Sequence, residues 1–196
     1  MARILLVLVV LFGAGAAKAS CVCWKCALGQ HKMFTMLGEA MAPALRSGEC
    51  AIARYILSDE TPPERGDVVY FQHPILDAVF VFRVIGLAGD KVQMIDGRLS
   101  LNEIPVGQVQ ISDFSRPNIM NPDTGNLPMC SNQPDRNGEC LTGQFTETLP
   151  NGRQYQVLDI QVSRVDNTRQ FVVPAGHVFV LGDNRDNAVD SRFAIN

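Results

Sequence analysis

A surplus of positive charge is absent from this chain: 17 basic side chains face 20 acidic ones, for a net charge of −3, and nothing favours a nucleic-acid partner. An apolar run of membrane length is absent as well. The longest, residues 4–17, holds fourteen apolar residues, short of the roughly 20 that cross a bilayer as a helix. Helical periodicity is scarce from Phe34 onward, which argues against a helix bundle. The three histidines, His31, His73 and His177, stand beside Pro, Gly or Gln in turn-like contexts. No Gly-x-Ser-x-Gly elbow or His–carboxylate pairing accompanies them, so they read as solvated turn residues rather than a triad. Cys21, Cys23 and Cys26 form a C-x-C-x2-C group around Trp24 with no fourth ligand apart from His31. Ordinary residues flanking a membrane-type stretch are the competing reading, and no metal or cofactor is expected.

With 46% hydrophobic and 19% charged residues, the chain is a folding one. Its 196 residues suit one domain, or a core with an elaboration. The signals are strands and turns. Residues 51–56 and 68–71 read as strands separated by the breaker-rich 58–63, and 78–86 is apolar on both faces until Arg83. Residues 91–95 and 98–101 pair across Asp96-Gly97, a type I′ hairpin signal, and 144–149 with 153–158 across Pro150-Asn151-Gly152. Residues 171–173 and 178–181 are further strands.

Directly behind 178–181 comes Gly182-Asp183-Asn184-Arg185-Asp186-Asn187-Ala188-Val189-Asp190-Ser191-Arg192. Unpaired buried charges are costly, so carboxylates and guanidiniums this dense imply a partly buried network in which they neutralise one another. The alternative is a solvated turn, for which Asn and Asp are well suited.

This stretch resembles the C-terminal signature of type I signal peptidases, membrane-bound serine endopeptidases that cleave signal peptides from exported proteins. Three further motifs carry the likeness in the same order: Ala40-Met41-Ala42-Pro43-Ala44-Leu45, Arg65-Gly66-Asp67-Val68-Val69-Tyr70-Phe71 and Arg83-Val84-Ile85-Gly86-Leu87-Ala88-Gly89-Asp90. The resemblance implies a mainly β fold with a Greek-key-like barrel core, a smaller inserted β subdomain at about 107–168, and an N-terminal signal or anchor segment over 1–29 ahead of the 30–196 domain. It also implies that Met41, Pro43 and Leu45 shape the floor of a cleft for an extended signal peptide, and that Asp183, Arg185, Asp190 and Arg192 form the supporting network.

The departures concern the chemistry. The family pairs a serine nucleophile with a desolvated, neutral lysine base. Those two places hold Ala40 and Phe82, while Gly38 and Ala188 stand where supporting hydroxyls are usual. The four lysines, Lys18, Lys25, Lys32 and Lys91, lie elsewhere in the chain, and the guanidinium of Arg83 stays protonated and cannot replace a base. The expectation is a homologue that holds peptides without cutting them. An active peptidase by another route, and an assembly protein or truncated gene remnant of the periplasm, are the alternatives.

The apolar run followed by Ala17-Lys18-Ala19 suits a cleavable signal peptide. The resemblance points instead to an uncleaved inner-membrane anchor with the domain facing the periplasm. In that oxidising compartment Cys130 and Cys140, flanking a turn-rich segment, are expected to form a disulfide contributing about 2–3 kcal/mol, with Cys50 left as a free core thiol. The sequence stops at Asn196, soon after the last motif, where a further strand is usual, and an open sheet edge is the expected consequence.

Overall fold

The computed structural model describes residues 23–29, 31–55, 62–73, 76–122 and 124–193. It is mainly β, as expected. Among the described residues no helix is long and apolar enough to cross a membrane; the apolar run at 4–17 lies outside them.

Strands β1 (His31–Thr35) and β2 (Cys50–Arg54) form an antiparallel pair, with Met33 opposite Ile52. Strand formation therefore begins three residues before Phe34, and His31 sits in a strand rather than the turn expected for it. β3 (Val68–Gln72), β4 (Val79–Gly86) and β13 (Phe179–Leu181) make a second sheet in the order β13-β4-β3. A third sheet has the order β12-β5-β6-β7, from β5 (Lys91–Ile95), β6 (Arg98–Leu101), β7 (Ile104–Pro105) and β12 (Phe171–Val172). Asp96 and Gly97 join β5 to β6 with φ of 47° and 73°, the two positive dihedrals that a type I′ turn demands. The remaining sheet is built from β8 (Gly107–Gln110), β9 (Phe114–Pro117), β10 (Glu139–Thr148) and β11 (Gln154–Asp159). The long strand β10 binds β9 with its first half and β8 with its second.

Side-chain alternation along β4 divides the interior in two. Residues two apart in a strand share a face, so Phe82 and Val84 enter one apolar cluster while Ile85 enters the other. β13 repeats the division: Val180 joins Phe82, whereas Phe179 and Leu181 join Ile85. The larger cluster contains Val92, Met94, Leu99 and Leu101 from β5 and β6, and also Leu149, Tyr155 and Val157 from the 107–168 segment. That segment thus shares its core with the rest of the protein. Each such fully buried side chain contributes about 1.5–3 kcal/mol relative to exposure.

Cys130 and Cys140 are joined by a disulfide, and so are Cys23 and Cys26. Cys50 is disulfide-bonded too, which corrects the expectation of a free core thiol. It lies exposed at the start of β2, where an oxidised sulfur needs no apolar burial.

Candidate functional site

Ala40, Phe82 and Ala188, far apart in sequence, meet in the smaller apolar cluster, packed with Met36, Met41, Val84 and Val180. Three elements produce the convergence. The turn after β1 carries Ala40. The inward face of β4 presents Phe82, only 4% exposed. The loop after β13 then folds back, its Asn184 amide donating to the Ala40 carbonyl at 3.0 Å. Gly182 makes this approach possible: a methyl group there would collide with Ala188 Cβ and stand 2.7 Å from the Ala40 carbonyl oxygen.

The Phe82 ring stacks on Phe80 at 5.5 Å between centroids and tilts against Phe71 at 6.5 Å. Beside it opens a cavity of about 580 Å³ walled by Val69, Phe71, Val178, Val180 and Phe193. Methyl, phenyl and methyl groups at 40, 82 and 188 supply neither a nucleophile nor a proton acceptor. Gly38 is not part of the cluster and borders a groove of about 560 Å³ also lined by Ile119, Met120 and Leu127. A methyl group at 38 would meet nothing within 4 Å. Met41 is a wholly buried member of the cluster, Leu45 packs against it, and Pro43 is half-buried after a cis peptide bond.

Lysine is no nearer to hand. Lys91 Nζ pairs with Glu103 at 2.8 Å, Lys32 Nζ lies 5.4 Å from the centroid of the Tyr70 ring, and Lys25 is exposed in the turn Trp24–Leu28. Lys18 falls outside the described residues.

Behind the cluster the charges of the last motif are buried and paired. Arg83 grips Asp183 with two hydrogen bonds, Nε to Oδ1 at 2.8 Å and Nη2 to Oδ2 at 2.6 Å, and donates a third to the Gly66 carbonyl. Arg192 holds Asp190 in the same forked way, and Asp190 accepts the Gly182 amide at 3.0 Å. Arg185 donates to Glu147 at 2.6 Å, and the Tyr155 hydroxyl donates to the same oxygen at 2.6 Å. Burial pushes the Asp183 carboxyl up, and the Arg83 fork opposes this. The two-on-two geometry is that of an ionised pair. Burial likewise raises the Tyr155 hydroxyl well above the usual range, with the Glu147 carboxylate adding to it.

Two charged members of this network, Arg83 and Glu147, were not among the residues expected in it. Arg83 marked only the end of an apolar run, and Glu147 only half of a hairpin. The available signal was parity: Glu147 shares its strand face with Phe145 and enters the core side by side with Leu149, an inward place that a carboxylate occupies only with a partner.

At the rim, Asp159 is raised to about 6 by half-burial and by Asp186 and Asp166 nearby. Asp186 ties the last motif to the end of β11 by accepting the amides of Ile160 and Gln161 at 2.8 and 3.0 Å. The Asn184 carboxamide is fully buried, and among the described residues neither its oxygen nor its nitrogen has a hydrogen-bond partner. No arrangement of three or more metal-ligating side chains occurs among the described residues.

Comparison with known proteins gives concordant matches. Among curated proteins, "Signal peptidase I" of Rickettsia bellii (strain OSU 85-389) is 36% identical over 142 residues, covering 66% of this chain and 41% of the relative. That of Rickettsia canadensis (strain McKiel) is 34% identical over 138 residues, 66% of this chain and 44% of the relative. That of Rickettsia typhi (strain ATCC VR-144 / Wilmington) is 35% identical over 138 residues, 66% and 45% of the two chains. The match therefore spans less than half the length of these relatives. The family described as "Signal peptidase, peptidase S26" matches residues 6–195, nearly the whole sequence, and the chain belongs to that family.

Proposed function

We propose that this chain is a catalytically silent member of the signal peptidase family, which holds an extended peptide and does not cut it. The observation that carries the reading is the packing of Phe82 against Ala40 and Ala188 in a cluster built of apolar side chains. A lysine base must be desolvated yet reachable by the nucleophile. Here its place is filled by a ring held between Phe71 and Phe80. The sequence change and the packing agree, since without a buried amine the site leaves room that an aromatic ring fills with apolar contacts.

Two features support peptide holding. Among the described residues β2 pairs only with β1 and β3 only with β4, so each presents a free backbone edge suited to strand addition. A groove of about 600 Å³ lined by Ile52, Ala53, Val68, Tyr70 and Phe71 lies between those edges. An exported polypeptide with small residues near its processing site is the ligand class. The location is the bacterial inner membrane with the folded part facing the periplasm, anchored through the apolar run at 4–17.

Restoration tests the silence. Ala40→Ser, Phe82→Lys, Gly38→Ser and Ala188→Ser together should create measurable cleavage of a signal-peptide substrate in a protein that has none. An unsubstituted chain that cleaves the substrate by itself would overturn the reading.

A further inference from the structure

The disulfide between Cys23 and Cys26 is unlike the one between Cys130 and Cys140. Cys140 is wholly buried on β10, and its bridge joins it to a residue ten positions earlier in the chain. Cys23 and Cys26 are three residues apart at the start of the turn Trp24–Leu28, which has no buried residue and carries Trp24 at 72% exposed and Leu28 at 67%. A bridge that closes so short a loop removes little disorder from the unfolded chain and so adds little to stability. Cys-x-x-Cys spacing is also the arrangement in which one thiol is lowered and its neighbour stands ready to resolve a mixed disulfide. The amide of Cys26 donates to Cys23 Sγ at 3.1 Å, placing a hydrogen-bond donor where a thiolate on Cys23 would carry its charge. Lys25, exposed between the two, adds a positive charge.

We infer that Cys23 and Cys26 form an exchangeable dithiol/disulfide site, whose substrate is a pair of cysteine thiols in an extended polypeptide. The exposed Trp24 and Leu28, one and two residues from the cysteines in sequence, offer apolar contact to an unfolded chain. A substrate thiolate attacks Cys23 Sγ, the Cys23–Cys26 bond breaks, and Cys26 leaves as thiolate and takes up a proton. The second substrate thiolate then attacks the substrate sulfur of the mixed disulfide, releasing Cys23 as the thiolate held by the Cys26 amide. The substrate is oxidised to its disulfide by two electrons, and the Cys23–Cys26 pair is reduced by the same two. One turnover needs no other oxidant. The inference is independent of peptide binding between β2 and β3.

The test uses the full chain in glutathione buffers of graded reduced-to-oxidised ratio, quenched by alkylation and mapped by peptide mass. Cys23 and Cys26 should open at a reduced-glutathione excess at least tenfold lower than Cys130 and Cys140. Cys26→Ser should trap glutathione on Cys23 when offered oxidised glutathione, and Cys23→Ser should trap it on Cys26 at least tenfold more slowly. The Cys23→Ser/Cys26→Ser protein should keep the Tm of the parent. Opening of both bridges together, absence of a trapped adduct at Cys23, or a large fall in Tm for the double variant would each show a structural bridge and overturn the inference.

Discussion

Arg185 and Glu147 lie 38 residues apart in sequence and 2.6 Å apart in space, with 5% and 1% of their side chains exposed. This pair ties the last motif to the second half of β10, so the loop that folds over Ala40 is fixed from the side of the 107–168 segment. Burial opposes the charge on Arg185, yet Glu147 holds its guanidinium above the ordinary range. Breaking such a pair by removing one partner leaves an uncompensated buried charge, at about 3–5 kcal/mol. Glu147→Ala should lower unfolding stability by that amount in a denaturant titration. Glu147→Leu/Arg185→Leu should lose less than the sum of the two single changes. A loss below about 1 kcal/mol for Glu147→Ala would mean that the pair is not what holds the loop.

Gly182 and Gly38 predict opposite outcomes for the smallest substitutions. At Gly182 a methyl group meets Ala188 and the Ala40 carbonyl, and Gly182→Ala should destabilise by about 1–3 kcal/mol through overpacking. At Gly38 the space is open, and Gly38→Ser should stay within about 0.5 kcal/mol of the parent. Thermal unfolding of both variants side by side checks the pair. Equal effects would contradict the close approach of the loop to Ala40.

Asp159 gives the protein a pH signature. Its carboxyl is raised to about 6 in the fold, so between the ordinary carboxylate range and pH 6 the folded state keeps a proton that the unfolded state has lost. Stability falls as pH rises through that window, and the cost is complete above it. For a half-exposed group this amounts to roughly 1 kcal/mol after screening. Asp159→Asn, which keeps a donor facing Asp186, should be more stable than the parent by about that amount at pH 7.5 and no different near pH 4. A difference independent of pH would place the proton elsewhere.

Much of the fold could be read before any coordinates. A run apolar on both faces located β4, and the Asp96-Gly97 dipeptide located β5 and β6 by specifying their hairpin, because few residues accept two positive φ angles. What escaped the reading was non-local. Nothing near Arg83 announces Asp183 a hundred residues later, and nothing near Glu147 announces Arg185. The positions of Ala40, Phe82 and Ala188 were legible through motif order, but their contact depends on Gly182 letting two backbones approach. His31 was misplaced in a turn because Gln30 beside it is a weak breaker, while pairing with Arg54 draws it into β1.

The most direct measurement of the central claim is fluorescence-detected binding of a labelled signal-peptide segment to the protein without its N-terminal apolar run, with cleavage followed in the same sample. Saturable binding with an intact peptide is the predicted result. Release of a cleaved fragment by the unsubstituted chain would contradict it, because neither Ala40 nor Phe82 carries an atom that could attack or take a proton.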